Sequence, residues 1–199
     1  MNSYNVSMCG RYQFFDEKNE RINSLISKLK EILPEERFNR LSFGEVAPGQ
    51  EVCIGVWNAN NNRFGITTMT WGFPAGKKLL INARSETLEE KPMFRDCRPC
   101  VIIAQGYYEW SKEPKEKYYF TVEETPLYMA GLYRYYMDHY EFVILTEEAQ
   151  LPEKAIHNRQ PVILTRKDAE EWCSTRNVEK MIHASVNPRI MRNTRDMRI

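Results

Sequence analysis

Val101-Ile102-Ile103-Ala104-Gln105-Gly106-Tyr107-Tyr108-Glu109-Trp110 holds the two signals that organise this chain. Its first four residues are an apolar run of strand length, and Gly106 ends it. Past that strand a lone carboxyl, Glu109, sits between aromatic residues. Working upstream, Leu79-Leu80-Ile81 leads into Asn82, and Phe64–Trp71 reads as a strand stopped by Gly72-Phe73-Pro74. Asn58–Asn62 is a hairpin loop joining that strand to Val52–Trp57, and Val46-Ala47-Pro48-Gly49 is a turn. Ile22, Leu25, Ile26, Leu29, Ile32 and Leu33 fall on one stripe of a helix predicted over Glu17–Leu33, with Pro34 after its end. Ser85 is expected to cap a short helix over Ser85–Glu90.

Downstream, strands are expected at Lys117–Val122, Leu127–Tyr133, Glu141–Thr146 and Pro161–Thr165. A helix follows at Lys167–Ser174, then an edge strand at Met181–Val186. The basic tail Arg189–Arg198 carries no clear fold. Many short strands with few helices imply an α+β fold: a single compact domain around a curved, mostly antiparallel sheet with flanking helices.

The bulk composition removes several function classes. A length of 199 residues allows one domain, and 42% hydrophobic residues suffice for a core. The net charge of +1 gives no global field for nucleic acid, so a polyanion site must be a local cluster of Arg and Lys. No apolar run approaches a membrane span. The opening residues MNSYNVSM lack the basic and apolar regions of a secretory signal, so a cytoplasmic protein is expected. Five cysteines are an odd number for a disulfide framework. Cys97-Arg98-Pro99-Cys100 has the spacing of half a zinc site, but no second CxxC or HxxxH completes it, so no metal and no cofactor is expected. Cys100 is read as heading a buried strand and Cys97 as lying in the loop before it.

Four segments carry polar residues that an ordinary strand end does not need: Cys9-Gly10-Arg11-Tyr12, Asn82-Ala83-Arg84-Ser85-Glu86-Thr87, Gly106–Trp110 and His157-Asn158-Arg159-Gln160-Pro161. If the chain starts at Met8 and loses it, Cys9 gains a free α-amine beside its thiol. Such a 1,2-aminothiol condenses with an aldehyde to a Schiff base, and the thiol then closes a thiazolidine ring. Glu109 among aromatic rings has the surroundings that raise a carboxyl's pKa towards neutrality; the alternative is an exposed strand-end glutamate. His157 and Arg159, two apart in extended chain, point to the same side, pairing a proton carrier with a phosphate ligand; the alternative is a histidine bonded to the backbone. Asn82 and Arg84 share that spacing, with a turn asparagine and a solvated arginine as the alternative.

Taken together, the four segments resemble the SOS response-associated peptidase (SRAP) family, whose members shield abasic sites in single-stranded DNA. Val46-Ala47-Pro48, Trp71-Gly72-Phe73-Pro74 and Ile144-Leu145-Thr146 extend the resemblance, which runs from Met8 to about Val186. It implies a β-barrel-like core, a positively charged groove, and a thiazolidine formed by the N-terminal cysteine with the ring-opened aldehyde of an abasic deoxyribose. Carried over, Cys9 is the nucleophile and Asn82 positions its amine and the sugar. Glu109 shuttles protons, and His157 assists ring opening and later reversal. Arg11, Arg84 and Arg159 hold phosphates, and Pro48 and Trp71 are stacking candidates. The implied partner is single-stranded DNA containing abasic sites, engaged by a monomer with no membrane involved.

The chain departs from the family in three places. The cysteine is residue nine rather than two, so residues 1–8 are a leader or extension preceding a domain over residues 9–199. Either translation starts at Met8, or the protein's own cysteine removes the leader, or the leader stays and locks the amine in a peptide bond. Gln160 replaces the methionine usual after the arginine. Gly44-Glu45 stands where the family has Tyr-Asn, and Glu45 is expected to point away from the DNA. Three functions follow: an abasic-site crosslinking enzyme with weak lyase activity, a cysteine autopeptidase acting on its own leader, or a non-catalytic single-strand binding module.

Overall fold

Residues 9–14, 19–123, 126–188 and 190–194 are described by a computed structural model of the chain; residues 1–8, expected to be a leader or extension, lie outside them. The elements run β1 (Arg11–Gln13), α1 (Glu20–Ile32), α2 (Glu35–Phe38), β2 (Glu45–Val46), β3 (Glu51–Asn58) and β4 (Arg63–Trp71). Then come β5 (Phe73–Ala75), β6 (Lys78–Leu80), β7 (Asn82–Arg84), β8 (Arg98–Ala104), β9 (Gly106–Trp110) and β10 (Lys117–Thr121). The chain ends with β11 (Leu127–Tyr136), β12 (His139–Glu148), β13 (Arg159–Pro161), β14 (Ile163–Leu164), α3 (Arg166–Thr175), α4 (Val178–His183) and β15 (Ile190–Asn193). This is the expected α+β class.

Five strands close a circuit, β12-β4-β3-β8-β11 and back to β12, antiparallel except where β12 meets β4. The expected curved sheet is therefore a closed barrel, which leaves no edge among these five strands. The β3–β4 hairpin and the cysteine placements agree with the sequence reading: Cys100 lies in β8 and Cys97 just before it, both buried. A second sheet, ordered β15-β10-β9-β1-β2, grows from the barrel where β8 passes into β9. Gly106 stands at that passage. A Cβ there would collide with the Tyr119 ring and the Phe120 carbonyl, so only glycine lets β10 lie this close.

Helix α1 begins at Asn19, whose side chain accepts the Ile22 N–H at 3.1 Å. The predicted first turn from Glu17 falls partly outside the described residues. Ile22 and Leu29 are buried, and Leu25, Ile26 and Leu33 pack beside them. Ile32 is a correction: it is exposed, because 3.6 residues per turn carry it about 80° round from Ile22.

Four further expectations are corrected. Ser85 opens only a 3-10 turn, Ser85–Thr87, and its hydroxyl donates to the Thr146 carbonyl at 3.1 Å instead of capping. The strand predicted over Pro161–Thr165 breaks at Val162, whose N–H donates to Leu145 and whose carbonyl accepts from Ala130. The flanking residues therefore pair with different strands, β12 and β11. Met181–Val186 is not a strand. Asn177 caps α4 by accepting the Lys180 N–H at 2.8 Å, and what remains of the edge pairing is one bond from Val186 N–H to the Ile163 carbonyl. The tail, whose sequence carries no clear fold, supplies β15, which pairs antiparallel with β10 from Tyr118↔Asn193 to Thr121↔Ile190. That edge of β10 would otherwise present unpaired backbone groups.

Candidate active site

Antiparallel pairing of β1 with β9 matches Arg11 with Tyr108 and Tyr12 with Tyr107. The same register continued backwards brings Cys9 to the end of β9, and the Cys9 N–H donates a hydrogen bond to Glu109 Oε1. Along β9 the side chains alternate. Tyr107 and Glu109 face inwards and are buried, while Tyr108 and Trp110 face outwards and are half-buried. Cys9 itself is 1% exposed and sits at φ +41°, a left-handed conformation that a non-glycine residue seldom adopts.

Burial sets the electrostatics of this pair. It pushes the Glu109 carboxyl from 4.5 up to about 8, against the pull of the Cys9 and Trp110 amides. The Cys9 thiol is also pushed well up, first by burial and then by the charges of Glu109 and Glu153. Glu153 was not singled out in the sequence. It lies in a 3-10 turn, Glu153–Ala155, fully buried, and accepts a hydrogen bond from the Tyr107 hydroxyl. Burial raises its own pKa well above the usual range, and Glu109 and Glu147 raise it further. Its one signal in the sequence is its position four residues before His157.

The remaining segments gather around the end of β12. Strand β7 runs parallel to β12 with Asn82 opposite Ile144 and Arg84 opposite Thr146, and β13 pairs Arg159 with Glu148. The Asn82 Nδ2 is buried and has no hydrogen-bond partner among the described residues. His157 is buried, and its Nδ1 lies 3.1 Å from the Arg159 main-chain nitrogen and 3.2 Å from the Arg159 carbonyl oxygen, accepting from the one or donating to the other according to its tautomer. Burial, helped by Lys112 and Arg159, holds its pKa below the usual histidine value. So the backbone bond, one of two readings of this histidine, is made by one ring nitrogen and leaves the other.

The three arginines differ in how they are held. Arg84 is exposed and makes no ion pair among the described residues. Arg159 is gripped at both nitrogens by Glu86, at 2.5 and 2.8 Å, and also donates to the Thr146 carbonyl at 2.6 Å. Arg11 lies 3.5 Å from Glu45, which also pairs with Lys117 at 2.5 Å. Glu45 thus turns towards this basic group rather than standing clear of it. Pro48 is half-buried in its turn.

Trp71 is corrected as a stacking surface. It is fully buried, its ring stacked on Phe142 and tilted against Tyr12, with its indole N–H donating to the Ile81 carbonyl at 3.0 Å. The accessible rings near Cys9 are instead Tyr108 and Trp110, with the Lys117 ammonium 3.9 and 5.5 Å from their centroids. Gln160 lies outside this set. Its amide is satisfied by Glu147, Asn187 and the Gln150 N–H, and it braces the loop rather than reaching the site. Among the described residues no cluster of His, Cys, Asp and Glu has a metal-holding arrangement, and no helix is long and apolar enough to cross a membrane.

Comparison with known proteins gives a consistent set of relatives. Residues 8–196 match the family described as SOS response associated peptidase (SRAP). A Bacillus subtilis (strain 168) protein named abasic site processing protein YoqW is 32% identical over 191 residues, covering 86% of this chain and 83% of that one. Abasic site processing protein YedK of Escherichia coli (strain K12) is 26% identical over 183 residues, covering 83% and 79%. A crystal structure of a Bordetella bronchiseptica protein superimposes with a TM-score of 0.69 at 20% identity, over 93% of this chain and 99% of that one, a likeness of fold.

Proposed function

The chain belongs to the SOS response associated peptidase family, and on that premise we propose that it processes abasic sites in single-stranded DNA by bonding covalently to them through Cys9. The observation that carries this reading is the hydrogen bond between the Cys9 nitrogen and the buried Glu109 carboxyl. Once that nitrogen is a free α-amine, it attacks the aldehyde carbon of the ring-opened deoxyribose. Glu109, titrating at about 8, takes the proton the nitrogen sheds and returns it to the departing hydroxyl, which leaves as water. The Cys9 sulfur then adds to the imine carbon, its proton passes to the nitrogen, and a thiazolidine closes with net loss of one water.

The other groups have matching duties. The unpartnered Asn82 amide is a donor for the sugar oxygen. His157, a proton carrier held below its usual pKa, assists opening of the sugar ring. Arg84 is the phosphate ligand most ready to act, and Tyr108 and Trp110 offer faces for neighbouring bases. The imine intermediate also permits β-elimination, the source of a weak lyase activity.

The left-handed backbone at Cys9 favours a second, preceding activity. That conformation costs a non-glycine residue about 1–2 kcal/mol. It ceases to be defined when the Met8–Cys9 bond is cut. The thiol attacks the Met8 carbonyl, Glu109 protonates the departing Cys9 nitrogen and takes up the proton the thiol sheds, and water hydrolyses the resulting thioester to free the Met8 carboxyl and restore the thiol. Cleavage of the leader and capture of the aldehyde are then successive uses of one site.

Intact mass spectrometry tests both. Protein beginning at Cys9 should form a stable adduct with an abasic oligonucleotide, one water lighter than the sum of the two. Cys9→Ala should keep residues 1–8 and form no adduct. A free Cys9 amine with no adduct refutes the crosslinking reading, and full trimming of the Cys9→Ala protein refutes self-cleavage.

A further inference from the structure

Glu153 is used by nothing in the chemistry above, yet it touches both halves of the site. Its main-chain carbonyl accepts the N–H groups of Ile156 and His157, at 2.7 and 2.9 Å, closing the turn that presents the histidine. Its side chain accepts the hydroxyl of Tyr107, which stands two residues before Glu109 on the same buried face of β9. Its other carboxyl oxygen, Oε1, is fully buried with no hydrogen-bond partner among the described residues. A carboxyl so enclosed is costly unless it answers to something in the site.

We infer that Glu153 is a positioning residue of the crosslinking site, locking the Glu109 strand to the His157 turn through Tyr107 and setting the charge that the Cys9 thiol meets. The titratable groups facing it are Tyr107 and Glu109 from β9, Glu147 from β12, and Cys9. Burial raises the Glu153 carboxyl well above its usual range, the charges of Glu109 and Glu147 add to that rise, and a charge on Glu153 in turn raises the Cys9 thiol.

The inference rests on the crosslinking reading, and two readouts keep the two apart. The first needs no DNA: alkylation of Cys9 by iodoacetamide against pH in the full chain, located by peptide mass spectrometry. Glu153→Gln should move the Cys9 midpoint to lower pH, making alkylation at one fixed alkaline pH at least about threefold faster. An unchanged midpoint overturns the charge role whether or not DNA is ever captured. The second is the rate of adduct formation with an abasic single strand. Glu153→Leu should slow it at least about tenfold, with binding to an intact strand unchanged. Glu153→Gln, whose amide oxygen still accepts the Tyr107 hydroxyl, should restore most of that loss. A Glu153→Leu protein that crosslinks at the wild-type rate, or a Glu153→Gln protein no better than Glu153→Leu, overturns the positioning role. Wild-type protein that never crosslinks refutes the parent reading alone and leaves the thiol titration to decide Glu153.

Discussion

Replacing Glu109 by glutamine should change stability in opposite directions at two pH values. The folded protein holds this carboxyl at about 8, whereas the unfolded chain releases its proton near 4.5. Between those values the folded state binds more protons, so the stability Glu109 contributes is complete below 4.5 and is lost as pH rises through 8. The difference of about 3.5 pH units at about 1.4 kcal/mol each costs roughly 5 kcal/mol above pH 8 and about 3 kcal/mol at pH 7. Glutamine escapes that loss and keeps the acceptor for the Cys9 N–H, but it buries an amide N–H₂ without a partner, which costs about 1–3 kcal/mol. Urea unfolding at pH 5 should therefore find the Gln variant about 1–2 kcal/mol weaker than wild type. At pH 8 it should be about 2–3 kcal/mol stronger. The Glu109 charge also raises Glu153, so glutamine relieves both carboxyls and the difference between the two curves reads them together. Adduct formation should fall about 100-fold, with binding to an intact strand retained. Parallel stability curves from pH 5 to 8 would refute the argument that burial sets the Glu109 proton.

Three further substitutions probe the surroundings of the site. Arg84→Glu should weaken binding to intact and abasic strands alike, by about tenfold at low salt, and lower the salt dependence by about one phosphate contact; fluorescence anisotropy at several salt concentrations reads this. Glu45→Gln releases Arg11 and Lys117 and should tighten single-strand binding about twofold to fivefold at low salt, with the gain gone at high salt, because half-exposed ion pairs hold their partners weakly. Trp71→Ala should cost about 3–5 kcal/mol in urea unfolding, as expected for a large buried side chain, while DNA affinity of the folded fraction stays unchanged; a stable variant with weakened binding would restore Trp71 to the DNA surface.

The parts legible in the sequence are those with local physical signatures. The β3–β4 hairpin shows because two strand-like runs flank Asn58–Asn62, and the body of α1 shows through the spacing of Ile22, Leu25, Ile26 and Leu29. Barrel closure does not show, because β12 meets β4 through a pairing about seventy residues apart that leaves no periodic trace. The helix α4 was mistaken for a strand because its signal is one capping asparagine, Asn177, ahead of a stretch with a single buried residue, Met181. Strand β15 was missed because its partner strand, rather than its own composition, makes it a strand. In the site, Cys9 and Glu109 lie 100 residues apart, and only the family resemblance joined them in advance. Trp71 entered as a stacking candidate only through the family resemblance, and its burial between Tyr12 and Phe142 is decided by tertiary packing that no local signal reports. Glu153 stayed hidden because Leu151-Pro152-Glu153-Lys154 reads as a solvated loop, and nothing local reports that its carboxyl turns inwards to Tyr107.

The charge arrangement bears on what the proposed covalent bond would add at this site. Two of the three arginines assigned to phosphates already hold carboxylates, Arg11 with Glu45 and Arg159 with Glu86. A phosphate arriving at either must displace an ion pair, so its net gain is smaller than that of a contact with a free guanidinium. The overall charge of +1 adds no long-range attraction. On the proposed function, non-covalent affinity for single strands built this way should be modest and salt-sensitive, so that intact DNA is sampled without being retained. On the proposed chemistry, retention comes instead from the thiazolidine, which forms only where an aldehyde is present. On that chemistry, weak ionic contacts and a strong bond together concentrate the discrimination in the chemical step, at Cys9 and Glu109. Strengthening the ionic contacts, as Glu45→Gln is expected to do, should therefore raise binding to intact strands as much as to abasic ones. The ratio of captured abasic to bound intact DNA should fall as overall affinity rises.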